Sequence, residues 1–400
     1  MPPNPIALAI PFFFALIGVE LVVARAMGLR PYRFNDAIVD LSCGITQTVT
    51  KVFLGVVALL PYVWVHEHLR VVTLADGAWS THLFAFLGVD LAYYAWHRWT
   101  HQTNLGWTTH VVHHQSEDYN LAVALRQSVT SPLSSWPFFL PLAALGVSPI
   151  VAFTHVALNT LYQFWIHTET IGKLGPLEWV LNTPSHHRVH HAINPEYVDR
   201  NYAGVLIVWD RLLGTFEPEV AEPVYGTVEP MRSFNPLWAN VWYLSLLARD
   251  TAAARTWSER AKVWLGPPGY RPEGLPPHPR PRPITRAEVA KYDPSGPPGL
   301  APYVLVHFVP VAIATTAMLL FEHGHTGWLA VTMALVLATV TAWGGFFERK
   351  AWALPLEIAR LVAAGIALTV ALLGTPSAWV LAPSWLFVGA SLAWVWRLRG

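Results

Sequence analysis

The long apolar stretches of this chain constrain its fold more than any other feature. Hydrophobic residues make up 53% of the 400 residues and charged residues only 13%, and the mean hydropathy is +0.36. About 20 consecutive apolar residues are enough for a helix to cross the hydrocarbon layer of a membrane. The composition therefore excludes an ordinary soluble domain and predicts an all-α, polytopic integral-membrane helical bundle.

Nine apolar segments are predicted to form this bundle, with room for one or two of them to be re-entrant. Segments 132–147 and 149–166 are predicted to form a helical hairpin, broken at Gly146 and Pro149, that returns the chain to the side it left. The other seven segments are 5–24, 45–65, 82–96, 303–321, 328–346, 354–373 and 378–396.

The same pattern divides the chain into four parts. Residues 266–302 carry so many prolines that neither helix nor sheet pairing is expected over most of their length. His278 lies in this linker without a partner at ligand spacing and is predicted to be solvated. The four parts are N-terminal transmembrane segments (1–80), a histidine-rich core (81–217), a peripheral segment with the proline-rich linker (218–302) and C-terminal transmembrane segments (303–400).

Histidine is concentrated in the second of these parts. Eleven of the eighteen histidines fall between His97 and His191, and eight of them form three boxes with spacings of one, three or four residues. Residues three and four apart lie on one face of a helix, so each box is predicted to direct its imidazoles at a single point. The boxes are His97 with His101; His110 with His113 and His114; and His187 with His190 and His191.

This spacing is typical of metal ligands. Eight neutral nitrogen donors exceed the four that a closed zinc site uses, so two metal ions are predicted. Imidazole accepts iron, copper, nickel and zinc, and donor type alone leaves the metal open. Cys43 is the only cysteine, which excludes internal disulfides and thiolate clusters, and the net charge of +1 argues against a nucleic-acid partner.

The basic residues predict which face of the membrane carries the boxes. Short cytoplasmic loops are enriched in Lys and Arg. Arg25, Arg30 and Arg33 follow the first segment, and with these on the cytoplasmic side all three boxes reach the cytoplasmic face. Clustering at one face favours a fixed site over the alternative of a metal transporter, which would carry ligands inside several spans. The same face would also receive Arg98, Lys173, Arg188, Arg349, Lys350, Arg397 and Arg399.

The residues around the boxes resemble the fatty acid hydroxylase and sterol desaturase superfamily of integral-membrane di-iron enzymes. Within that superfamily they are most similar to the alkylglycerol monooxygenases, and the resemblance covers residues 88–217. It departs at Gln102, which stands where the animal enzymes carry an acidic residue, and this puts the reductant in question. The matching segments are 96–101, 113–121, 124–128, 161–169, 182–191, 201–204 and 209–217.

This resemblance implies a di-iron monooxygenase that uses O2 to hydroxylate a lipid C–H bond. Hydroxylation next to an ether oxygen would give a hemiacetal that collapses to a fatty aldehyde and a glycerol derivative. The implied electron donor is tetrahydrobiopterin, with a redox protein as the other possibility, and zinc would be an accepted substitute for the two irons in purified material. A sterol or fatty-acid hydroxylase or desaturase is the alternative within the superfamily.

The resemblance also carries the eight box histidines over as metal ligands. His167 is added because it leaves the bilayer where the site must lie. His155 and His186 are left open: His186 could replace His187, and His155 either completes the coordination or is a buried histidine bonded to Asn159.

Carboxylates near the boxes are the candidate catalytic residues. A ligating imidazole usually donates its other N–H to a carboxylate or a carbonyl. Asp90 lies seven residues before His97 on the same helix face, and a carboxylate within the membrane is costly enough to indicate a role. Glu117 and Asp118 follow the second box, with a solvated loop acid as the alternative for each. Further candidates are Asp199 and Asp210 as orienting acids, and Arg126 and Arg188 as contacts to a lipid phosphate or cofactor or as membrane anchors.

Overall fold

The structure is a computed structural model that describes residues 5–321 and 325–398, so His323 and Arg399 lie outside the described residues. Within the described part the chain is helical, and its only β pairing consists of two isolated bridges. The sixteen α-helices of these residues are α1 (Pro5–Ala26), α2 (Phe34–His68), α3 (Trp79–Gln102), α4 (Asn104–Thr108), α5 (Val111–His114), α6 (Leu121–Ala124), α7 (Ser131–Ala144), α8 (Pro149–Phe164), α9 (Pro184–His190), α10 (Val208–Leu213), α11 (Pro236–Ala253), α12 (Trp257–Leu265), α13 (Leu300–Leu320), α14 (Thr326–Phe347), α15 (Ala353–Leu372) and α16 (Leu381–Arg397).

The predicted all-α, multi-pass membrane architecture is confirmed, with fewer spans than the nine segments. All nine segments are helical, but α3 carries several polar residues and α7 and α8 have only 14 and 16 residues. A helix of that length rises about 21 to 24 Å, short of the roughly 30 Å of hydrocarbon. The six described helices long and apolar enough to cross a membrane are Ile6–Ala26, Phe34–His68, Leu300–Leu320, Thr326–Phe347, Ala353–Leu372 and Ala378–Arg397.

The helical hairpin of α7 and α8 follows the second half of α2. It breaks where the sequence predicts, since Gly146 has a φ of +87° and Pro149 starts α8. A Cβ on Gly146 would lie 2.2 Å from the carbonyl oxygen of Val72, so only glycine fits this turn against the loop after α2. The hairpin therefore reaches the far end of α2 and brings the chain back at α8.

Helix α2 begins at Phe34, eleven residues before its predicted start at residue 45. Its first turns carry two acidic residues, Asp36 and Asp40, which lie before the apolar stretch. Both side chains are buried, because the Ser116 hydroxyl donates to Asp36 and Arg126 pairs with Asp40 at 3.0 Å. Long-range pairing thus extends the helix beyond its apolar stretch.

The C-terminal helices pack directly on α2. One apolar core joins α2 to α13, α14, α15 and α16, and it includes Val39, Val49, Tyr303 and Trp343. Separate smaller cores hold α3 to the hairpin and α11 to α12. The C-terminal spans therefore share the interior of the N-terminal ones.

The proline-rich linker lies along the protein surface with His278 turned inward. The prediction that His278 is solvated is wrong: the residue is 9% exposed, and its Nδ1 lies 2.5 Å from Glu229 and its Nε2 3.3 Å from Asp250. Both carboxylates come from outside the linker, so spacing within the linker carried no sign of them.

Candidate metal centre

The structure brings the nine predicted metal ligands together at one end of the bundle. Among the described residues they form two groups, and within each group one ring nitrogen per histidine lies within 4.8 Å of the others. Every member is buried. The first histidine group is His97, His101, His110, His114 and His190, and the second histidine group is His113, His167, His187 and His191.

Two of the three boxes are divided between the groups, which corrects the prediction of one point per box. His110 and His114 belong to the first group while His113 belongs to the second. Residues three and four positions after the first histidine of a box point in directions that differ by about 100° around the helix axis. The two adjacent histidines therefore diverge, even though each lies on the same side of the helix as the first. The third box divides in the same way: His190 belongs to the first group, whereas His187 and His191 belong to the second. Each of these boxes thus joins the two groups, which lie side by side.

The second histidine group contains ring nitrogens that face each other without a proton between them. His113 donates from Nδ1 to the carbonyl of Arg126 at 3.0 Å, and His167 donates from Nδ1 to the carbonyl of Gln163 at 2.7 Å. A carbonyl only accepts, so a neutral ring bonded this way has a lone pair on Nε2. The two Nε2 atoms nevertheless lie 3.2 Å apart. Facing lone pairs at this distance call for a cation between them.

The spacing of the nitrogens fits a shared metal ion in both groups. His110 Nε2 lies 2.9 Å from His97 Nε2 and 3.1 Å from His114 Nε2. Two nitrogens that each lie about 2.1 Å from one metal at a right angle are about 3.0 Å apart. The buried Nε2 atoms of His101 and His190 also have no hydrogen-bond partner among the described residues. Imidazole donors of this kind suit iron as well as zinc, copper or nickel.

Backbone carbonyls orient these imidazoles more often than carboxylates do. The carbonyls of Tyr202 and Arg200 accept from Nδ1 of His97 at 2.7 Å and of His190 at 2.9 Å. Asp199 is the carboxylate nearest a predicted ligand, with Oδ1 3.6 Å from Nδ1 of His101, beyond hydrogen-bond distance.

Burial also keeps the ring of His113 in the neutral form that binds metal. It lowers the pKa of His113 to about 4, because the charged ring would lose its hydration. The ring is therefore neutral at neutral pH, as a metal ligand must be.

Asp90 holds the segment that follows the Tyr202 carbonyl. It is fully buried, and its carboxylate accepts from the backbone N–H of Val205 at 2.8 Å and of Leu206 at 2.9 Å. The side chains of Trp209 and Asn159 donate to it as well, at 2.9 and 2.8 Å. Four hydrogen bonds offset the cost of burying this charge and fix the chain just after the Tyr202 carbonyl.

Asp210 holds the same segment from its other side. Its carboxylate accepts from the backbone N–H groups of Tyr202 and Ala203, both at 2.8 Å, and from the Thr215 hydroxyl at 2.6 Å. The peptide that orients His97 is therefore held by two buried carboxylates.

Arg126 and Arg188 are buried and paired with carboxylates inside the fold. The predictions that they contact a lipid phosphate or a cofactor, or anchor the protein at the membrane surface, are therefore wrong. Arg126 pairs with the fully buried Asp40 at 3.0 Å and donates to the carbonyl of Val112 in α5. Arg188 forms two hydrogen bonds of 2.7 Å with Glu219 and donates to carbonyls just after His167. Each guanidinium already has a carboxylate partner within the fold.

Glu117 and Asp118 bind residues that lie outside the two histidine groups. Asp118 pairs with Arg33 at 2.9 Å and with Lys291 at 2.5 Å, and Glu117 accepts from the backbone N–H of Tyr292 at 2.6 Å. These contacts fasten the loop after the second box to Arg33, which directly precedes α2, and to the linker.

His155 and His186 lie outside both histidine groups. His155 contacts His82 at 3.2 Å rather than Asn159, and it lies toward the opposite end of the bundle. His186 packs its ring against Phe216, with the centroids 5.3 Å apart. His187, not His186, joins the second group.

An apolar cavity of about 320 Å³ runs from the membrane helices to the histidines. We call it the membrane-side cavity. At one end it is lined by His110, His113 and His167, so it reaches both histidine groups. Its volume lies in the range of pockets that take small organic ligands, about 300 to 1,000 Å³. The walls are mostly apolar, with Lys51 of α2 among the polar exceptions. Apolar side chains of α1, α8 and α13 in these walls include Ile10, Phe13, Phe164, Phe308 and Leu319.

Comparison with known proteins agrees with this geometry. The fatty acid hydroxylase family model matches residues 82–215, which contain all nine histidines of the two groups. The chain is 37% identical to alkylglycerol monooxygenase of Xenopus tropicalis over 90% of this chain and 80% of that relative, and 38% identical to that of Danio rerio over 90% and 81%. Alkylglycerol monooxygenase of Homo sapiens is 44% identical over 68% of this chain and 61% of its own length. No solved structure matches the chain significantly.

The chain belongs to the alkylglycerol monooxygenase family. The predicted membership of the wider fatty acid hydroxylase superfamily is confirmed with it, as is the prediction of a membrane-bound, lipid-oxidising enzyme. Since the similarity to these monooxygenases extends over 90% of the chain, it includes membrane helices on both sides of the histidine core.

In this member of the alkylglycerol monooxygenase family, aromatic rings complete the surroundings of the histidines. Tyr93 lies 5.2 Å from the ring of His97, and Trp107 lies 4.9 Å from that of His101. Tyr119 stacks at 5.8 Å on His167. No local pattern marks these rings in the sequence, because aromatic residues are frequent throughout the chain and only the fold brings these three to the centre.

Proposed function

We propose that this protein is a di-iron monooxygenase that cleaves the ether bond of alkylglycerols. The observation that carries the proposal is the membrane-side cavity, whose apolar walls come from membrane helices and whose end is formed by histidines of both groups. An alkyl chain entering from the bilayer would lie along these walls with its reacting carbon at the histidine end. Gln127 and Gln163 line the cavity beside His113 and His167 and offer polar contacts for the glycerol hydroxyls.

The nine histidines would hold two irons, which supply reductive activation of O2 when bound. The residues of the chain would orient and enclose this centre. Carbonyls fix the ring tautomers, and Tyr93, Trp107 and Tyr119 exclude water from the rings. We propose that Asp90 is a positioning residue for His97, and that Glu117 and Asp118 act through structure rather than on the reacting atoms.

Hydroxylation at the carbon next to the ether oxygen gives a hemiacetal, which separates into a fatty aldehyde and a glycerol. In the overall balance, one C–H bond and one O2, with two electrons and two protons from a donor, give one C–OH and one water. We propose tetrahydrobiopterin as the donor. Gln102 is exposed at the end of α3 and is not among the residues that line either described cavity, so its departure from the family pattern leaves both cavities intact.

The test is conversion of alkylglycerol by membranes that contain the protein, with and without tetrahydrobiopterin. Fatty aldehyde should form only with the pterin, and the gently purified protein should carry about two irons per chain, as expected for two imidazole-rich sites. Oxidation of a sterol or an acyl lipid without aldehyde would overturn the ether-cleaving proposal. An iron content below about one per chain would overturn the di-iron proposal.

We further propose that the histidine end of the bundle faces the cytoplasm, as the basic residues in the short loops indicate. A Glu273→Cys variant places a thiol at an exposed position of the linker, while the native Cys43 is buried. A membrane-impermeant maleimide should label this variant in inverted vesicles but not in intact cells. The reverse result would contradict the orientation.

A further inference from the structure

A second cavity, of about 300 Å³, approaches the histidines from outside the membrane helices. We call it the loop-side cavity. Its inner wall contains His101, His114, His190 and His191, so it reaches both histidine groups from a different direction than the membrane-side cavity does. Its other walls come from the loop at 226–229, from α11 and from the proline-rich linker.

The loop-side cavity combines aromatic faces with a carboxylate. Trp107, Trp242 and Tyr243 line it, and the ring of Trp107 lies 4.9 Å from that of His101. Glu229 also lines it, with 35% of its side chain exposed. Aromatic faces bind flat rings, and a carboxylate accepts two parallel hydrogen bonds from an amidine-like edge.

The carboxylate of Glu229 is held in place and kept charged by the linker. Its Oε2 lies 2.5 Å from Nδ1 of His278, whose Nε2 lies 3.3 Å from the fully buried Asp250. The hydrogen bond from His278 lowers the pKa of Glu229 below its usual range. Arg271 in turn donates to Asp250 at 3.0 Å, which ties the linker to α11 beneath the cavity.

We propose that the loop-side cavity is the place where the electron donor of the proposed function binds, and that the carboxylate of Glu229 holds this pterin. The inference rests on the proposed function, which requires two electrons per lipid. A pterin is flat and carries a ring N–H beside an exocyclic amino group, the edge that a carboxylate binds, and its loss of two electrons and two protons to become a dihydropterin completes the balance with O2 and the C–H bond.

The shape of the cavity favours a small molecule over a redox protein. Pro268, Pro279 and Pro281 of the linker lie over it, and its volume is within the range of small-ligand pockets, about 300 to 1,000 Å³. The apolar lipid and the polar donor would then reach one centre by separate routes, so neither has to leave for the other to bind.

The test measures pterin binding in the absence of O2 and of lipid, with the iron-loaded protein in detergent. Tetrahydrobiopterin should quench the fluorescence of the native protein, and Glu229→Gln should raise its Kd roughly 10- to 100-fold because a charge-assisted pair is lost. Val228→Trp, which fills the cavity from a half-buried position, should abolish binding. The matched control is Glu196→Gln, at an exposed carboxylate outside the cavity, with the native Kd expected.

Iron content and the KM for alkylglycerol should be unchanged in Glu229→Gln, while the KM for the pterin rises. An unchanged pterin Kd in both cavity variants would overturn the inference. Aldehyde formation with a redox protein and no pterin binding would overturn it together with the choice of pterin as donor, while leaving the ether-cleaving activity of the proposed function standing. Pterin binding that depends on Glu229, without any aldehyde from alkylglycerol, would uphold this site and contradict the proposed function.

Discussion

The histidine groups and the C-terminal helices both bury histidine, and they differ in what the second ring nitrogen meets. His307 of α13 donates from Nδ1 to the carbonyl of Tyr303 at 2.9 Å, just as His113 donates to Arg126. The Nε2 of His307 then lies 3.0 Å from the Ser391 hydroxyl, a donor. The Nε2 of His113 instead faces the nitrogens of His167 and His191, at 3.2 and 3.1 Å.

The charged groups around His307 are paired as well. Glu357 is fully buried and is bonded to both Arg360 and the Tyr303 hydroxyl. In the cluster around His307 the buried polar groups thus form complementary pairs, which hold helices together. In the histidine groups, ring nitrogens with acceptor lone pairs face one another instead, which indicates a bound cation. The way that buried polar atoms are satisfied distinguishes a structural cluster from a binding one.

The largest effect is expected from His113→Ala. This change removes a predicted ligand of the second histidine group, and even the loss of an outer partner of a ligand costs about 10- to 100-fold in metal affinity or activity. Aldehyde formation should therefore fall by more than about 100-fold, with a lower iron content by elemental analysis. Native iron and native activity in a folded His113→Ala protein would erase the distinction between the two regions.

Glu357→Ala should mainly reduce stability. It leaves the Arg360 guanidinium buried without its carboxylate, and breaking a buried pair in this way costs about 3 to 5 kcal/mol. Thermal unfolding in detergent should start at a clearly lower temperature, while iron per folded chain stays at the native level. Loss of iron without loss of stability would show that this cluster also serves the metal.

Asp90→Asn should reduce iron affinity and activity about 10- to 100-fold. The amide has one acceptor oxygen in place of two, so at least one of the four donors around position 90 loses its partner and the Tyr202 carbonyl shifts. Iron titration of the metal-free protein measures this effect. Asp76→Asn, at an exposed position near the start of α3, is the matched control and should titrate like the native protein.

The smallest effect is expected from His307→Leu. The Ser391 hydroxyl loses one partner, and hydrogen bonds between membrane helices contribute about 0.6 kcal/mol on average. The free energy of unfolding should decrease by about 1 kcal/mol or less, and the iron content and aldehyde formation should stay at the native level. A loss of iron comparable to that of His113→Ala would place His307 in the metal centre, contrary to the comparison.

Local spacing predicted which histidines lie together but not the contacts that support them. The offsets of three and four residues identified the box histidines, and the position of His167 at the end of the hairpin added a ninth. The backbone carbonyls that accept from the histidine rings could not be predicted, because every residue has a carbonyl and no side chain marks the one that accepts. The sequence gives no sign that Arg126, Arg188 and His278 are buried, because their carboxylate partners come from distant parts of the chain.

The sequence by itself determined the helical membrane fold, the hairpin break at Gly146 and Pro149, and the concentration of histidines at one end. All three depend on residues that are close in the chain: the length of an apolar run, a turn that needs a positive φ, and a helical repeat. Only the tertiary structure decided how His113 and His114 separate into different groups and which cavities reach them. Those outcomes depend on how helices from distant parts of the chain pack, because this packing fixes the position of each side chain in space.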